Sequence, residues 1–175
     1  EPILLADDPG LALVPGLAGY AASSPRAAAW RRDPQQRATE MRWFERSGRD
    51  LGTVSPSVSD VSLELSPDGA RVASGRVTST GGLSPGGELL THIYVADLAR
   101  GVSSRLTVDD ARSDENPVWS PDGRQIAFAS HHQGGPAAIF IRSATGREAP
   151  RMVEWPLGSS FSNPHPIDWS SDGRW

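Results

Sequence analysis

An all-β fold built from repeated four-stranded units is the architecture this sequence predicts, on three observations. Eighteen glycines and fifteen prolines are spread along 175 residues, so turn signals interrupt every stretch in which a long helix could form. The segments between them are short and either alternate apolar with polar residues or are β-branched, as in "RVASGRVTS", "HIYVADL", "QIAFAS" and "AAIFIRS". This is the pattern of strands buried on one face. Finally, a turn tetrapeptide of the form Ser-Pro-Asp-Gly recurs, and recurrence makes it an architectural unit rather than a single corner.

The repeat sets the order of elements. The turns open at Ser66, Ser120 and Ser170, 54 and 50 residues apart. A degenerate earlier copy, "ASSPRAAAWRR", places Ser24 and Pro25 ahead of a short apolar run, 42 residues before Ser66. Between these turns a second motif recurs: "MRWFERSGRDLGTV", "HIYVADLARGVSSRLTV" and "AIFIRSATGREAPRMV" each read as strand, glycine turn, strand, with Gly48, Gly101 and Gly146 at the corner. Each period is therefore strand, Pro-Asp-Gly turn, strand, variable loop, strand, glycine turn, strand. Four strands in such a period make one blade of a β-propeller. The expected division is degenerate blade elements over 1–52, one blade over 53–108, a second over 109–155 and the start of another over 156–175. That is about three blades' worth of elements where closure takes about 4 to 8, so the chain is expected to be a fragment of a longer protein. Its open sheet edges are expected to favour self-association.

The turn residues are expected to be structural: Ser66, Pro67, Asp68 and Gly69; Ser120, Pro121, Asp122 and Gly123; and Asp172 with Gly173, where Ser171 replaces the proline. Proline presets φ at the second turn position, aspartate bonds the local backbone, and glycine takes the positive φ that reverses the chain. The serine hydroxyl accepts a backbone N–H. Leu65, Trp119 and Trp169 directly precede the turns, where a large apolar side chain is expected to pack between adjacent blades.

Composition limits the chemistry. The net charge is -4, with no clustered basic face, which argues against nucleic acid as the partner. All 17 cationic residues are arginine, so a kinase active site or a Schiff base inside this chain is excluded. The absence of cysteine removes disulfides, thiolate metal sites and cysteine nucleophiles together. No apolar run reaches the ~20 residues of a membrane helix. No nucleophile elbow, phosphate-binding glycine loop or zinc-protease motif is present. A non-catalytic module with no cofactor and no metal is the expectation, and its partner is a protein or a small ligand.

"SPDGARVAS", "SPDGRQIAFAS", "HIYVADLARG" and "SRLTVDDARSDENPVWSPDG" resemble the TolB-type propeller repeat, a relative of the WD repeat. More narrowly, "MRWFERSGRDLGTV" followed by "LSPDGARVA", "IYVADLARGVSSRLT" and "NPVWSPDG" is similar to the extracytoplasmic propeller sensor at the C-terminus of bacterial eukaryotic-like serine/threonine protein kinases. Related propellers occur in TolB itself and in prolyl oligopeptidase-type peptidases. The resemblance implies a recognition or sensor module located outside the cytoplasm.

Propeller topology gathers the variable segments 78–90, 109–116, 131–136 and 156–165 on one face, and loops on a rigid scaffold are where recognition usually sits. The candidate binding-face residues are Asp109, Asp110, Arg112, Asp114, Glu115 and Asn116 in one loop, with His131, His132 and His165 in two others. As neighbours on a strand, His131 and His132 point to opposite faces and do not converge on one ion. His92 is expected to be a surface strand residue.

Overall fold

The computed structural model describes residues 28–30, 39–44, 47–58, 60–78, 90–110, 112–132, 136–154 and 163–173, and every regular element among them is a strand. β1 (Ala28–Trp30), β2 (Thr39–Phe44) and β3 (Asp50–Val58) form a three-stranded sheet. A four-stranded sheet follows, made of β4 (Asp60–Leu65), β5 (Arg71–Val77), β6 (Thr91–Asp97) and β7 (Val102–Arg105). The next comprises β8 (Arg112–Trp119), β9 (Gln125–His132), β10 (Ala138–Ser143) and β11 (Arg151–Met152). Every pairing is antiparallel between sequential neighbours, so each sheet is a meander of one blade. The second sheet starts at Asp60 rather than at residue 53, because β3 stays paired with β2 as far as Val58 through a run of register shifts. The "EPILLADD" strand and the degenerate Ser24–Pro25 turn lie outside the described residues. Among those described, no helix is long and apolar enough to cross a membrane.

The same bonds close every Ser-Pro-Asp-Gly turn. Gly69, Gly123 and Gly173 sit at φ of 69°, 67° and 73°, and their amides donate to the carbonyls of Ser66, Ser120 and Ser170 at 2.8, 2.8 and 2.9 Å. The Ser120 hydroxyl donates to Asp122 Oδ1 at 2.6 Å and accepts from the Gln125 amide at 2.9 Å. Asp122 Oδ1 also accepts from the Arg124 amide, and Ser66 with Asp68 repeats the arrangement. These hydroxyl bonds hold the carboxyls of Asp68 and Asp122 below the usual range. Where Ser171 replaces proline, Ser170 still donates to Asp172, so serine, aspartate and glycine suffice to form the corner.

The core lies in the seams between sheets. Ala73, Ile93 and Val95 of the second sheet, with Leu106 just after β7, meet Trp119, Ile126 and Phe128 of the third in one buried cluster. Trp119 is only 3% exposed, and its Nε1 donates to the Glu64 carbonyl at 3.1 Å. Period-two alternation turns Ala127 to the opposite face, where it joins Ile139 and Ile141, and Trp169 packs on that cluster. Thus each tryptophan preceding a turn packs against the blade before its own. Arg71 fastens the same seam: its guanidinium lies 4.6 Å from the Trp119 ring centroid, and Nη2 donates to the Gly123 carbonyl at 2.8 Å.

Gly69 and Gly123 share a backbone conformation but differ in surroundings. A Cβ at Gly69 meets nothing within 4 Å, whereas one at Gly123 lies 3.4 Å from Arg71 Nη2 and 3.8 Å from Pro67 Cδ. Alanine at either position costs about 1 to 2 kcal/mol for positive φ, and Gly123→Ala additionally sets a methyl against the Arg71 guanidinium that bonds the Gly123 carbonyl. Chemical denaturation is expected to rank Gly123→Ala below Gly69→Ala, and Gly123→Val well below His131→Ala. Equal midpoints for the two alanine variants would show that the seam does not feel this turn.

Candidate functional site at a blade seam

Away from the turns, the seam between the second and third sheets becomes polar. His92, near the start of β6, has a side chain only 1% exposed. Its Nε2 is 3.6 Å from Asp110 Oδ1 and its Nδ1 is 3.7 Å from Asp114 Oδ2. Asp114 belongs to β8 and is itself buried, so histidine and carboxylate come from different blades. Arg105 Nη2 donates to Asp110 Oδ1 at 2.6 Å, fixing the linker. Backbone bonds support the arrangement: the Thr91 amide donates to Ser113 Oγ at 3.2 Å and the Ile93 amide to Thr107 Oγ1 at 3.0 Å. Burial pushes the His92 imidazole below its ordinary value and the nearby Arg105 cation pushes it further, against the pull of Asp114 and Asp110. Burial thus favours the neutral form of the His92 ring.

Asp60 stands six residues before Ser66 just as Asp114 stands six before Ser120, and both are buried. The two blades satisfy the equivalent carboxylate differently. Asp60 pairs with Arg76 of its own sheet at 3.0 Å, and the Arg76 guanidinium lies 4.2 Å from the Tyr94 ring centroid. Burial still raises the Asp60 carboxyl, with Arg76 opposing. Asp114 has the neutral His92 of the neighbouring blade instead.

Beside Asp114 opens a cavity of about 250 Å³, lined by Thr107, Val108, Asp109, Arg112, Asp114, Phe128, Ser130, Phe140, Arg142 and Pro150. Phe128 and Phe140 stack with ring centroids 6.2 Å apart and form an apolar floor. The Arg112 guanidinium lies 5.4 Å from the Phe140 centroid, and its Nε is 3.2 Å from Asp109 Oδ2.

The structure brings together part of the expected binding-face set. Asp109, Asp110, Arg112 and Asp114 surround the cavity and its polar margin. Arg112, Asp114, Glu115 and Asn116 are strand residues, not loop residues, because Arg112 to Glu115 pair with His132 to Ala129 and so lengthen β8. A bulge between Glu115 and Val118 carries Asn116 at φ 52°. Its Nδ2 lies 3.0 Å from His165 Nδ1, while Glu115 Oε1 is 4.0 Å from His131 Nδ1. These contacts form a separate group. The His132 side chain lies outside the described residues, and among those described no three His, Asp or Glu side chains converge on a metal position. His92 corrects the expectation of a surface position: the adjoining blade covers it.

Two groups give opposite pH dependence. Burial, with Asp168 adding repulsion, raises the Glu64 carboxyl to about 7. The unfolded chain ionises Glu64 first, so the stabilisation is present in acid and lost as pH rises from the ordinary carboxyl range through 7. For His92 the unfolded chain protonates first, so stability is lost as pH falls below about 6.5. Urea midpoints measured against pH are expected to lose their alkaline-side decline in Glu64→Gln and their acid-side decline in His92→Gln. An unchanged profile in either variant refutes the corresponding assignment.

No family model matches the chain. Among curated proteins it is similar to "Uncharacterized peptidase YuxL" of Bacillus subtilis, 37% identical over 84 residues, 48% of this chain and 12% of that protein. It is also similar to Tol-Pal system protein TolB of Alcanivorax borkumensis, 41% identical over 68 residues, 36% of this chain and 14% of that protein. Among solved structures it superposes on TolB from Acinetobacter baumannii with a TM-score of 0.60 at 19% identity, covering 78% of this chain and 32% of that one. The chain thus spans well under half the length of each. In fold it is a TolB-like β-propeller, of which the described residues include two four-stranded blades.

Proposed function

We propose that the chain is the non-catalytic binding or sensor part of a β-propeller carried in a longer protein that works outside the cytoplasm. The observation that carries this reading is the seam site, where a buried polar cluster and a cavity meet beside Asp109, Asp110 and Asp114. A rigid scaffold supports both. The partner is a protein or a small ligand, and nucleic acid fits poorly with the net charge of -4. Attachment to a bacterial serine/threonine kinase rests on the sequence resemblance of "MRWFERSGRDLGTV" and the units that follow it. The extracytoplasmic location rests on the same resemblance.

A second reading is favoured by one comparison. The likeness to a curated protein described as a peptidase supports a propeller that gates access to a hydrolase domain. The reading frame on either side decides between them: a kinase domain and a membrane helix upstream support the sensor, and an α/β-hydrolase with a nucleophile elbow downstream supports the gate. In both cases the purified chain is expected to hydrolyse no peptide substrate. Turnover by the chain alone overturns the non-catalytic reading.

A further inference from the structure

The register of the third sheet arranges the cavity in a line. Asp114 pairs with Ser130 across β8 and β9, Phe128 follows two residues along β9 and pairs with Phe140, and Arg142 follows two residues along β10. Strand alternation puts all five on one face, and all five line the cavity. It therefore has a carboxylate at one end, an aromatic floor in the middle and a guanidinium at the other.

The charges of the surrounding groups decide what this line is fit for. Arg112 is paired with Asp109 and Arg105 with Asp110. Asp114 has neutral His92 beside it, and no arginine among the described residues pairs with it. The Arg142 Nη2 donates to the Gly146 carbonyl at 2.7 Å, and no described carboxylate lies within ion-pair range of it. One anion and one cation, each without an opposite charge of its own, thus face the same small space. Four residues along the strand and two strand spacings across it put their α-carbons about 17 Å apart. Side chains on one face of a sheet stand roughly perpendicular to it, so the two charged groups stay well apart, and the gap exceeds the span of a single amino acid and suits two or three extended residues at about 3.4 Å each with a hydrogen bond at either end.

We propose that the seam cavity binds a free di- or tripeptide, with the terminal ammonium at Asp114 and Ser130, an apolar side chain on Phe128 and Phe140, and the terminal carboxylate at Arg142. Both free termini are read, so an internal segment of a longer chain does not satisfy the site. The volume of about 250 Å³ falls below the ~300–1,000 Å³ of drug-sized pockets, which limits the ligand to a few residues. Charge-assisted bonds at both ends supply selectivity.

Isothermal titration with alanyl-phenylalanine, its N-acetyl derivative, its C-terminal amide and free phenylalanine tests this. The dipeptide is expected to bind, with each blocked form and the free amino acid at least about tenfold weaker. Asp114→Asn should abolish the preference for a free amino terminus, and Arg142→Gln the preference for a free carboxylate. The blocked ligands read both ends on the unaltered protein, so a variant that misfolds does not remove the test. Equal affinity for blocked and free forms, or no heat from the dipeptide at millimolar concentration, overturns the proposal.

Discussion

Trp119 is supplied by one blade and buried by the blade before it, and the rest of the structure depends on that asymmetry. A Trp side chain takes roughly 200 Å² out of water, about 5 kcal/mol of hydrophobic stabilisation, and that stabilisation exists only when two blades are in contact. The Nε1 bond to the Glu64 carbonyl satisfies the one polar atom of the ring, and Arg71 covers its face. The buried cluster confined to the third sheet is smaller, holding Ala127, Ile139 and Ile141. The seam, rather than the sheet, is the unit of stability.

The polar end of the same seam follows from the same geometry. The positions six residues before Ser66 and Ser120 are both buried, so a carboxylate placed there needs a partner that the turn does not supply. Asp60 finds Arg76, and Asp114 finds His92. The first solution is an ion pair completed within the sheet. The second leaves a carboxylate beside a neutral ring and next to open space, which is why the candidate site lies in this seam.

Local chemistry was legible in the sequence and non-local burial was not. The turns, the sheet order and the role of Trp119 could be read because proline, aspartate, glycine and strand alternation act within a few residues, and the repeat multiplies a weak signal. The site was only partly visible. Asp109, Asp110, Arg112 and Asp114 were expected in a binding-face loop, but "SDEN" has the composition of a turn, and pairing with β9 draws it into a strand across a bulge. His92 went unrecognised because its partners lie 18 and 22 residues ahead on the next blade, and a strand's period says which face a side chain takes without saying what covers it. The shared six-residue offset of Asp60 and Asp114 was the available signal. The boundary at residue 53 was missed because β3 continues as strand through "SPSV", whose serine and proline mark a turn.

The direction of the tryptophan packing also bears on how the chain acquires its structure. Within a blade the pairings are between sequential strands, whereas Trp119 reaches 55 residues back to the Glu64 carbonyl. Contacts of that separation cost loop entropy before they return any stability. Because the receiving surfaces of Trp119 and Trp169 lie toward the N-terminus, a chain made from that end has each of these slots finished before its tryptophan emerges. The polarity of the seam therefore matches the polarity of translation, and blades can be added one at a time to a surface that already exists.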